Sequence, residues 1–235
     1  MTSTIVLPRE SHTHTIIWLH GRDSYAEEFS SELFESEASQ PEGQPMTLPD
    51  LFPTIKWVFP QAPLLRAERF DVEKMPQWFD MWSVENPHER PEFQEDGLRD
   101  SIAQILDIIR EEAISIPTHK IFLAGISQGF ATTISTFFVD GNTQFAGLIG
   151  LSSWIPPFAA YLSIMPIYHL AGKTPVFLAH SLDDDVVPIG NGEHLRDTLS
   201  AHMETIEWKQ YEEGGHWINE PEGVNDIVRF LRVNM

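Results

Sequence analysis

The chain contains no cysteine among its 235 residues. That absence excludes disulfide bonds, metal sites built on thiolates and a cysteine nucleophile. Basic residues are also scarce, with 15 lysines and arginines against 35 aspartates and glutamates, and the formal net charge is −20. A chain this acidic is repelled by phosphate backbones and by anionic membrane surfaces. We therefore expect no nucleic-acid partner.

Long hydrophobic runs are missing as well. No apolar stretch approaches the length that spans a bilayer, and residues 1–10 show no basic segment followed by a long apolar core. These features predict a cytoplasmic protein without stable membrane insertion. The composition is 42% hydrophobic, which is enough for a full core, and the length predicts a single α/β domain over residues 1–235.

Short apolar segments alternate with amphipathic segments along the chain. The apolar or β-branched segments predict strands at residues 13–19, 55–59, 120–124, 146–151, 176–180 and 205–211. Apolar residues at helical spacing predict helices at residues 26–34, 95–113, 128–139 and 193–202, and a closing helix around residues 224–231. This order predicts a mostly parallel sheet with helices on both faces, and residues 61–94 are predicted to be irregular.

The most informative segment is residues 121–129, where an apolar run ends in Gly-x-Ser-x-Gly and a helical pattern begins. In that context the pattern predicts a nucleophile elbow, with Ser127 held in strained backbone at the positive end of a helix. Gly125 and Gly129 supply the space that so tight a turn needs. The alternative is a glycine-lined turn with an ordinary serine.

A serine hydroxyl needs a base within hydrogen-bonding reach, and the base needs a carboxylate to orient it. In this type of fold the chain order is Ser, then Asp or Glu after a later strand, then His in a late loop. The acid candidates are three adjacent aspartates, of which we prefer Asp184 and keep Asp185 and Asp183 as alternatives. The base candidate is His216, which follows two glycines between the last strand and the last helix.

The tetrahedral intermediate of acyl transfer carries an oxyanion that backbone amides usually bind. The candidate donors are the amide of Gln128, directly after the serine, and the amide of Arg22, in the turn after the first predicted strand. His12 and His14 alternate along a strand and could chelate a metal, but no third ligand is evident. We expect neither a metal nor any other cofactor.

Together these residues resemble the acyl-protein thioesterases and the related small carboxylesterases and lysophospholipases of the α/β-hydrolase fold. Besides the elbow, the resemblance rests on Leu-His-Gly at 19–21, Phe-Pro-Gln-Ala-Pro at 59–63, Pro-Gln-Trp-Phe-Asp at 76–80, Leu-Ser-Ser-Trp-Ile-Pro at 151–156, residues 180–188 and Gly-His at 215–216. The His-Gly-Arg and Glu-Glu-Phe runs are similar to those of fungal members.

The resemblance implies an α/β-hydrolase fold with a mostly parallel central sheet and helices on both faces. It implies Ser127 as nucleophile, Asp184 as orienting acid and His216 as base. It implies the amides of Arg22 and Gln128 as the oxyanion hole. The substrate would be an acyl ester or thioester, with an S-acylated protein as the leading candidate.

The resemblance also implies an apolar acyl channel bordered by four aromatic residues, Trp78, Phe79, Trp82 and Trp154. Core packing is the other interpretation of these residues, since it is the commoner role of tryptophan. Three features depart from the family pattern. Phe130 stands where a small residue usually follows the elbow, Arg-Asp-Ser at 22–24 replaces the commoner Leu-Gly-Asp, and the segment 36–54 is longer than in the compact members. We expect the reaction type to survive these changes.

The predicted activity is metal-independent hydrolysis of carboxylic esters or thioesters through an acyl-enzyme. A short-chain carboxylesterase or a lysophospholipase is the alternative within the same chemistry. A non-catalytic ligand receptor is the alternative of another class, and the presence of all three triad candidates argues against it. A metallohydrolase built on His12, His14 and the aspartate cluster is the third alternative.

Overall fold

The computed structural model describes residues 3–40, 42–43, 46–70, 72–162 and 169–235. Nine strands occur in these ranges, at Ser3–Val6 (β1), His14–Leu19 (β2), Ile55–Pro60 (β3), Leu64–Ala67 (β4), Val72–Pro76 (β5), Ile121–Ile126 (β6), Gly147–Leu151 (β7), Val176–Ser181 (β8) and Ile206–Tyr211 (β9). The same ranges contain eight α-helices, at Ala26–Glu35 (α1), Leu48–Leu51 (α2), Glu95–Glu112 (α3), Gln128–Asp140 (α4), Pro157–Leu162 (α5), His169–Gly172 (α6), Ile189–Ser200 (α7) and Glu222–Asn234 (α8).

Seven of the strands form one sheet in the order β1-β3-β2-β6-β7-β8-β9. Every neighbouring pair from β3 to β9 is parallel, whereas β1 lies antiparallel to β3 at one edge. The strands β4 and β5 form a separate antiparallel hairpin. The mostly parallel sheet that the alternating pattern predicts is thus confirmed.

Each face of the sheet carries its own hydrophobic core, because successive side chains of a strand point to opposite faces. In β2, Ile16 and Trp18 belong to one core, whereas Ile17 and Leu19 belong to the other. Helices α1 and α8 contribute to the first core, and helices α3, α4 and α7 contribute to the second. Helices therefore cover both faces, as predicted.

The strand β1 and the hairpin of β4 and β5 are absent from the sequence prediction. The hairpin lies inside the region 61–94 that was predicted to be irregular. Its two strands have only four and five residues, and Pro63 and Pro76 flank or end them. Prolines normally mark a loop, and so short a pair of strands gives no alternation that outweighs this signal.

The helix α7 begins at Ile189, before the predicted start at residue 193. Its first turn contains Gly190 and Gly192, which are weak helix formers and hide the helical pattern. An added Cβ at Gly192 would lie 2.4 Å from Nδ1 of His180. A side chain at this position would therefore clash, because α7 and β8 approach each other closely.

One edge of the sheet collects the segments that carry the predicted chemistry. The strands β2, β6, β8 and β9 run in the same direction, so their carboxyl ends meet at this edge. Four segments directly follow those ends: the turn at 20–24, Ser127, the aspartates at 183–185 and the loop at 212–217. Ligand sites of open α/β sheets lie at this edge.

Candidate active site

The turn between β6 and α4 holds Ser127 in a rarely populated backbone conformation, with φ of 54° and ψ of −127°. Such a conformation costs on the order of 1–3 kcal/mol and persists only where the surroundings impose it. A Cβ at Gly125 would lie 2.4 Å from the backbone nitrogen of Phe130, and one at Gly129 would lie 2.3 Å from the carbonyl oxygen of Leu19. Both glycines are therefore sterically required, as the elbow prediction states.

Two hydrogen bonds hold the strained serine, one from the end of β7 and one from the residues that follow it. The amide of Ser127 donates to the carbonyl oxygen of Leu151 at 2.9 Å, and Oγ of Ser153 donates to the carbonyl oxygen of Ser127 at 2.7 Å. That same carbonyl oxygen also accepts the amides of Phe130 and Ala131, both at 3.1 Å, in the first turn of α4. The serine hydroxyl thus lies at the positive end of a helix.

His216 lies beside the carboxylate of Asp184. Its Nδ1 is 2.8 Å from Oδ2 and 3.1 Å from Oδ1 of Asp184. Because an ionised carboxylate only accepts hydrogen bonds, Nδ1 of His216 carries the proton. The other ring nitrogen, Nε2, is then left as an acceptor, which is the tautomer that a general base requires.

Asp184 is buried, and three donors converge on its carboxylate, with the ring of His180 beside them. Besides His216, the amides of Val186 and Val187 donate to Oδ1 at 3.0 and 2.8 Å. Nε2 of His180 donates to the carbonyl oxygen of Val187 at 2.8 Å and also lies 3.2 Å from Oδ2 of Asp184. Burial by itself raises the pKa of Asp184, but the hydrogen bonds from His180 and His216 outweigh it and hold the pKa well below its ordinary value. The carboxylate is therefore ionised throughout the neutral range.

The three adjacent aspartates have different surroundings. Asp184 is the one that contacts His216. The carboxylate of Asp183 instead accepts the amides of Gly215 and Gly214, at 2.8 and 3.3 Å. Asp185 is exposed to solvent. Asp183 is thus more than part of a solvated acidic turn, a role that the sequence alone did not indicate.

The side chain of Gln128 fixes the position of the residue that follows the serine. Its Oε1 accepts the amide of Trp78 at 2.9 Å, and its Nε2 donates to the carbonyl oxygen of Phe79 at 2.8 Å. The side chain is fully buried, so both hydrogen bonds are protected from water. The segment 76–80 therefore holds the start of α4 in place.

The same segment holds the turn after β2. The indole nitrogen of Trp78 donates to the carbonyl oxygen of His20 at 2.8 Å, and Nε of Arg22 donates to Oε1 of Gln77 at 2.9 Å. The carboxylate of Asp80 lies 3.8 Å from the guanidinium of Arg22. Both predicted oxyanion donors are thus fixed by one stretch of chain, which gives the Pro-Gln-Trp-Phe-Asp motif a physical role.

His20 completes the support of this turn in a neutral form. Its Nδ1 is 2.7 Å from the carbonyl oxygen of Gly21, and its Nε2 accepts the amide of Ala62 at 3.1 Å. Burial lowers the pKa of His20 to about 4, although the hydrogen bond to Gly21 acts in the opposite direction. His20 is therefore a structural residue of the turn.

A cavity of about 440 Å³ opens beside Ser127 and His216. Its other lining residues are Gly21, Arg22, Asp23, Ser24, Phe29, Glu32, Phe70, Met75, Val84, Ile126, Val186 and Trp217. The apolar members of this set give the cavity a largely hydrophobic wall. No local pattern in the sequence marks these residues, because they come from several separate segments and only the fold brings them together.

The four aromatic residues predicted to border an acyl channel do not line this cavity. Trp78, Phe79 and Trp154 are completely buried in the core between the sheet and α3 and α4. Trp82 is half-buried and stacks on Phe93, with ring centroids 5.8 Å apart. Packing accounts for all four positions in this structure.

Phe130, the departure from the family pattern, is also accommodated by packing. Its ring is fully buried and lies over Gly150 of β7, where an added Cβ would come within 2.5 Å of the ring. The glycine leaves the space that the large side chain occupies. Phe130 is directed into the core and is not among the residues that line the cavity.

The histidine pair does not join the aspartate cluster. His14 begins β2, whereas Asp184 follows the end of β8, and these strands run parallel. The two groups therefore lie at opposite ends of the parallel strands. Within the described part of the chain, no group of three or more His, Asp or Glu side chains is arranged to hold a metal ion.

A mostly parallel sheet with this serine, histidine and aspartate at its carboxyl edge has the architecture of an α/β hydrolase. The chain belongs to the phospholipase/carboxylesterase family, whose sequence profile matches residues 1–235. It is thus a hydrolase that acts on ester bonds.

Similar proteins agree with this assignment. The chain is 27% identical to acyl-protein thioesterase 1 of Yarrowia lipolytica over 231 residues, which covers 97% of this chain and 94% of that protein. It is 28% identical to acyl-protein thioesterase 1 of Cryptococcus neoformans over 198 residues, covering 83% and 76% of the two chains.

Solved structures confirm the predicted fold. The crystal structure of Zea mays acyl-protein thioesterase 2 superposes with a TM-score of 0.73 at 24% identity, covering 99% of this chain and 98% of that one. The crystal structure of Arabidopsis thaliana SOBER1 gives a TM-score of 0.74 at 25% identity, with 94% and 98% covered.

Proposed function

We propose that this protein is a serine thioesterase that removes acyl chains from S-acylated proteins through an acyl-enzyme intermediate. The observation that carries the proposal is the 2.8 Å contact between His216 and an ionised Asp184, at a cavity that also contains the strained Ser127. The thioesterase names of the fungal relatives support this substrate class.

In the proposed mechanism, the hydroxyl of Ser127 attacks the acyl carbonyl carbon and Nε2 of His216 takes its proton. Asp184 keeps the imidazole in the required tautomer and stabilises its protonated form. The tetrahedral intermediate then collapses: the bond from the acyl carbon to the leaving sulfur or oxygen breaks, and the protonated His216 gives its proton to that atom, which departs as the thiol or alcohol. A water molecule, activated by the same imidazole, attacks the acyl-enzyme and releases the carboxylic acid.

The backbone amides of Arg22 and Gln128 are the proposed oxyanion hole. Among the described residues, neither amide donates a loop or turn hydrogen bond to a backbone carbonyl. The segment 76–80 anchors both residues through Gln77 and Trp78. Donors held in place before the reaction stabilise a developing oxyanion without reorganisation, which is the condition for a large catalytic effect.

The cavity suits an acyl chain in both volume and chemistry. A volume of about 440 Å³ lies within the range of small-molecule sites. Apolar side chains such as Phe29, Phe70, Met75 and Trp217 form part of its wall. A short-chain carboxylesterase or a lysophospholipase would use the same nucleophile and remains the second candidate.

The cytoplasm is the location we propose, with an acylated protein as the partner and without stable membrane insertion. The net charge of −20 gives no attraction to anionic lipid. Among the described helices, none has both the length and the apolar composition to cross a membrane. A fluorescent fusion protein imaged in cells tests this location directly.

The testing experiment compares two thioesters of one peptide, carrying a palmitoyl or a butyryl chain. We expect turnover of the palmitoyl substrate by the wild type and none by Ser127→Ala. Ser31→Ala is the control, because Ser31 is an exposed serine of α1 that does not line the cavity. Equal turnover by Ser127→Ala and the wild type would refute the mechanism. Turnover of the butyryl substrate alone would favour the short-chain carboxylesterase.

A further inference from the structure

Asp183 is exposed, yet both oxygens of its carboxylate are engaged by the backbone of another loop. Oδ1 accepts the amide of Gly215 at 2.8 Å, and Oδ2 accepts the amide of Gly214 at 3.3 Å. These partners are more than thirty residues away in sequence. They directly precede His216, the proposed general base.

The geometry at the two glycines is that of an anion-binding turn. Gly214 and Gly215 have φ values of 138° and 58°, which residues other than glycine rarely adopt. Two successive amides that point at one anion form a concave backbone site for a carboxylate. Glycine pairs also have the greatest backbone freedom, so this stretch needs an external contact to stay in one conformation.

The loop that contains His216 is thereby connected to the aspartate turn through adjacent residues. Asp184 contacts the imidazole ring, while Asp183 contacts the backbone one and two residues before it. The amide of Leu182 also donates to the carbonyl oxygen of Tyr211 at 2.8 Å, at the start of the same loop. The ring and the backbone of the base are thus held from one short turn.

We propose that Asp183 is a positioning residue, which fixes the backbone before His216 so that the imidazole stays aligned with Ser127 and Asp184. The inference rests on the proposed serine mechanism, and it assigns the three aspartates different roles. Asp184 orients the ring, Asp183 holds the loop, and Asp185 is a solvated neighbour.

The matched pair of substitutions is Asp183→Asn and Asp185→Asn. Each removes one negative charge from the same turn with little change of shape. In Asp183→Asn, one acceptor oxygen becomes an NH2 group that faces a backbone donor, so the contact with the two glycines is disrupted. We expect kcat for thioester hydrolysis to fall by about 10–100-fold with KM unchanged, since small misplacements of a catalytic group have effects of this size. Asp185→Asn should stay within about twofold of the wild type.

Hydrogen exchange gives a readout that is independent of catalysis. At least one of the amides of Gly214 and Gly215 should exchange faster in Asp183→Asn than in the wild type or in Asp185→Asn, because the asparagine keeps only one acceptor oxygen for the two amides. Equal kcat for the two asparagine variants would overturn the proposal, since only the charge would then matter. Unchanged exchange at both glycines would overturn it as well.

The Ser127→Ala variant separates this inference from the proposed function. If Ser127→Ala retains turnover, the serine mechanism itself fails. If Ser127→Ala is inactive but Asp183→Asn has wild-type kcat, only the positioning role fails. Thermal unfolding of Asp183→Asn provides the check on folding, and we expect one cooperative transition as in the wild type.

Discussion

The proposed nucleophile and the proposed base of this site are held in place in different ways. Ser127 is 4% exposed, and its conformation is imposed by contacts in which no added Cβ would fit at Gly125 or Gly129. His216 lies on a partly exposed loop, and carboxylates hold it through hydrogen bonds. Steric packing around the two glycines, together with hydrogen bonds to Leu151 and from Ser153, fixes the serine, whereas hydrogen bonds to carboxylates fix the histidine. Substitutions should therefore affect stability at the elbow and turnover at the loop.

Asp184→Asn should give the largest effect and should act on turnover. The amide can donate to Nδ1 of His216 and so stabilise the wrong tautomer of the imidazole. We expect kcat to fall by about 10⁴-fold. Steady-state kinetics on a thioester checks this, with Asp185→Asn as the control. A loss below tenfold would mean that the ring is oriented by another group.

Phe130→Ala should act on stability. The ring is fully buried over Gly150, and removal of a buried phenylalanine costs about 3–5 kcal/mol. Urea unfolding measures this loss. Gly150→Ala should be destabilising by itself because its Cβ would meet the ring, and less so in the Phe130→Ala background. Additive effects of the two substitutions would show that the contact is not tight.

Gly129→Ala should destabilise the elbow by about 3 kcal/mol and reduce activity, because the new Cβ would overlap backbone atoms that cannot move aside. Gly190→Ala is the matched control, since a Cβ there meets nothing within 4 Å. Chemical denaturation of both variants provides the comparison. Equal stabilities would contradict the role of packing at the elbow.

The smallest expected effect is a loss of folding stability at acidic pH. The unfolded carboxyl of an aspartate titrates near pH 4, and the pKa of Asp184 in the folded protein is lower. Its stabilising contribution is therefore complete above about pH 5 and is lost as the pH falls toward the folded value. Asp184→Asn lacks this contribution. The difference in unfolding free energy between wild type and variant should thus shrink from pH 5 to pH 3, and a constant difference would contradict the account.

The same contrast explains what could be predicted from the sequence. Ser127 and the two elbow glycines lie within one short segment, so their spacing predicted the geometry of the elbow. The sheet was predictable because its strands are continuous buried runs. The pattern of hydrophobic residues therefore identified the parts of the molecule that are held by packing.

The polar contacts were harder to predict from the sequence. Three adjacent aspartates are equivalent in the sequence, and only the turn geometry directs Asp184 to the imidazole and Asp183 to the glycine amides. Likewise, Trp78 was predicted to border a channel, but its indole hydrogen bond to His20 places it in the core. The walls of the cavity come from distant segments, so no local pattern identifies them.

An acyl group on Ser127 would be the most direct evidence for the proposed serine mechanism. The protein is incubated with a palmitoyl thioester, quenched in acid within the first turnover and digested for mass spectrometry. We predict a palmitoyl group on Ser127 in the wild type and on no residue of the Ser127→Ala variant. Turnover without acylation of Ser127, or acylation at another residue, would contradict the account.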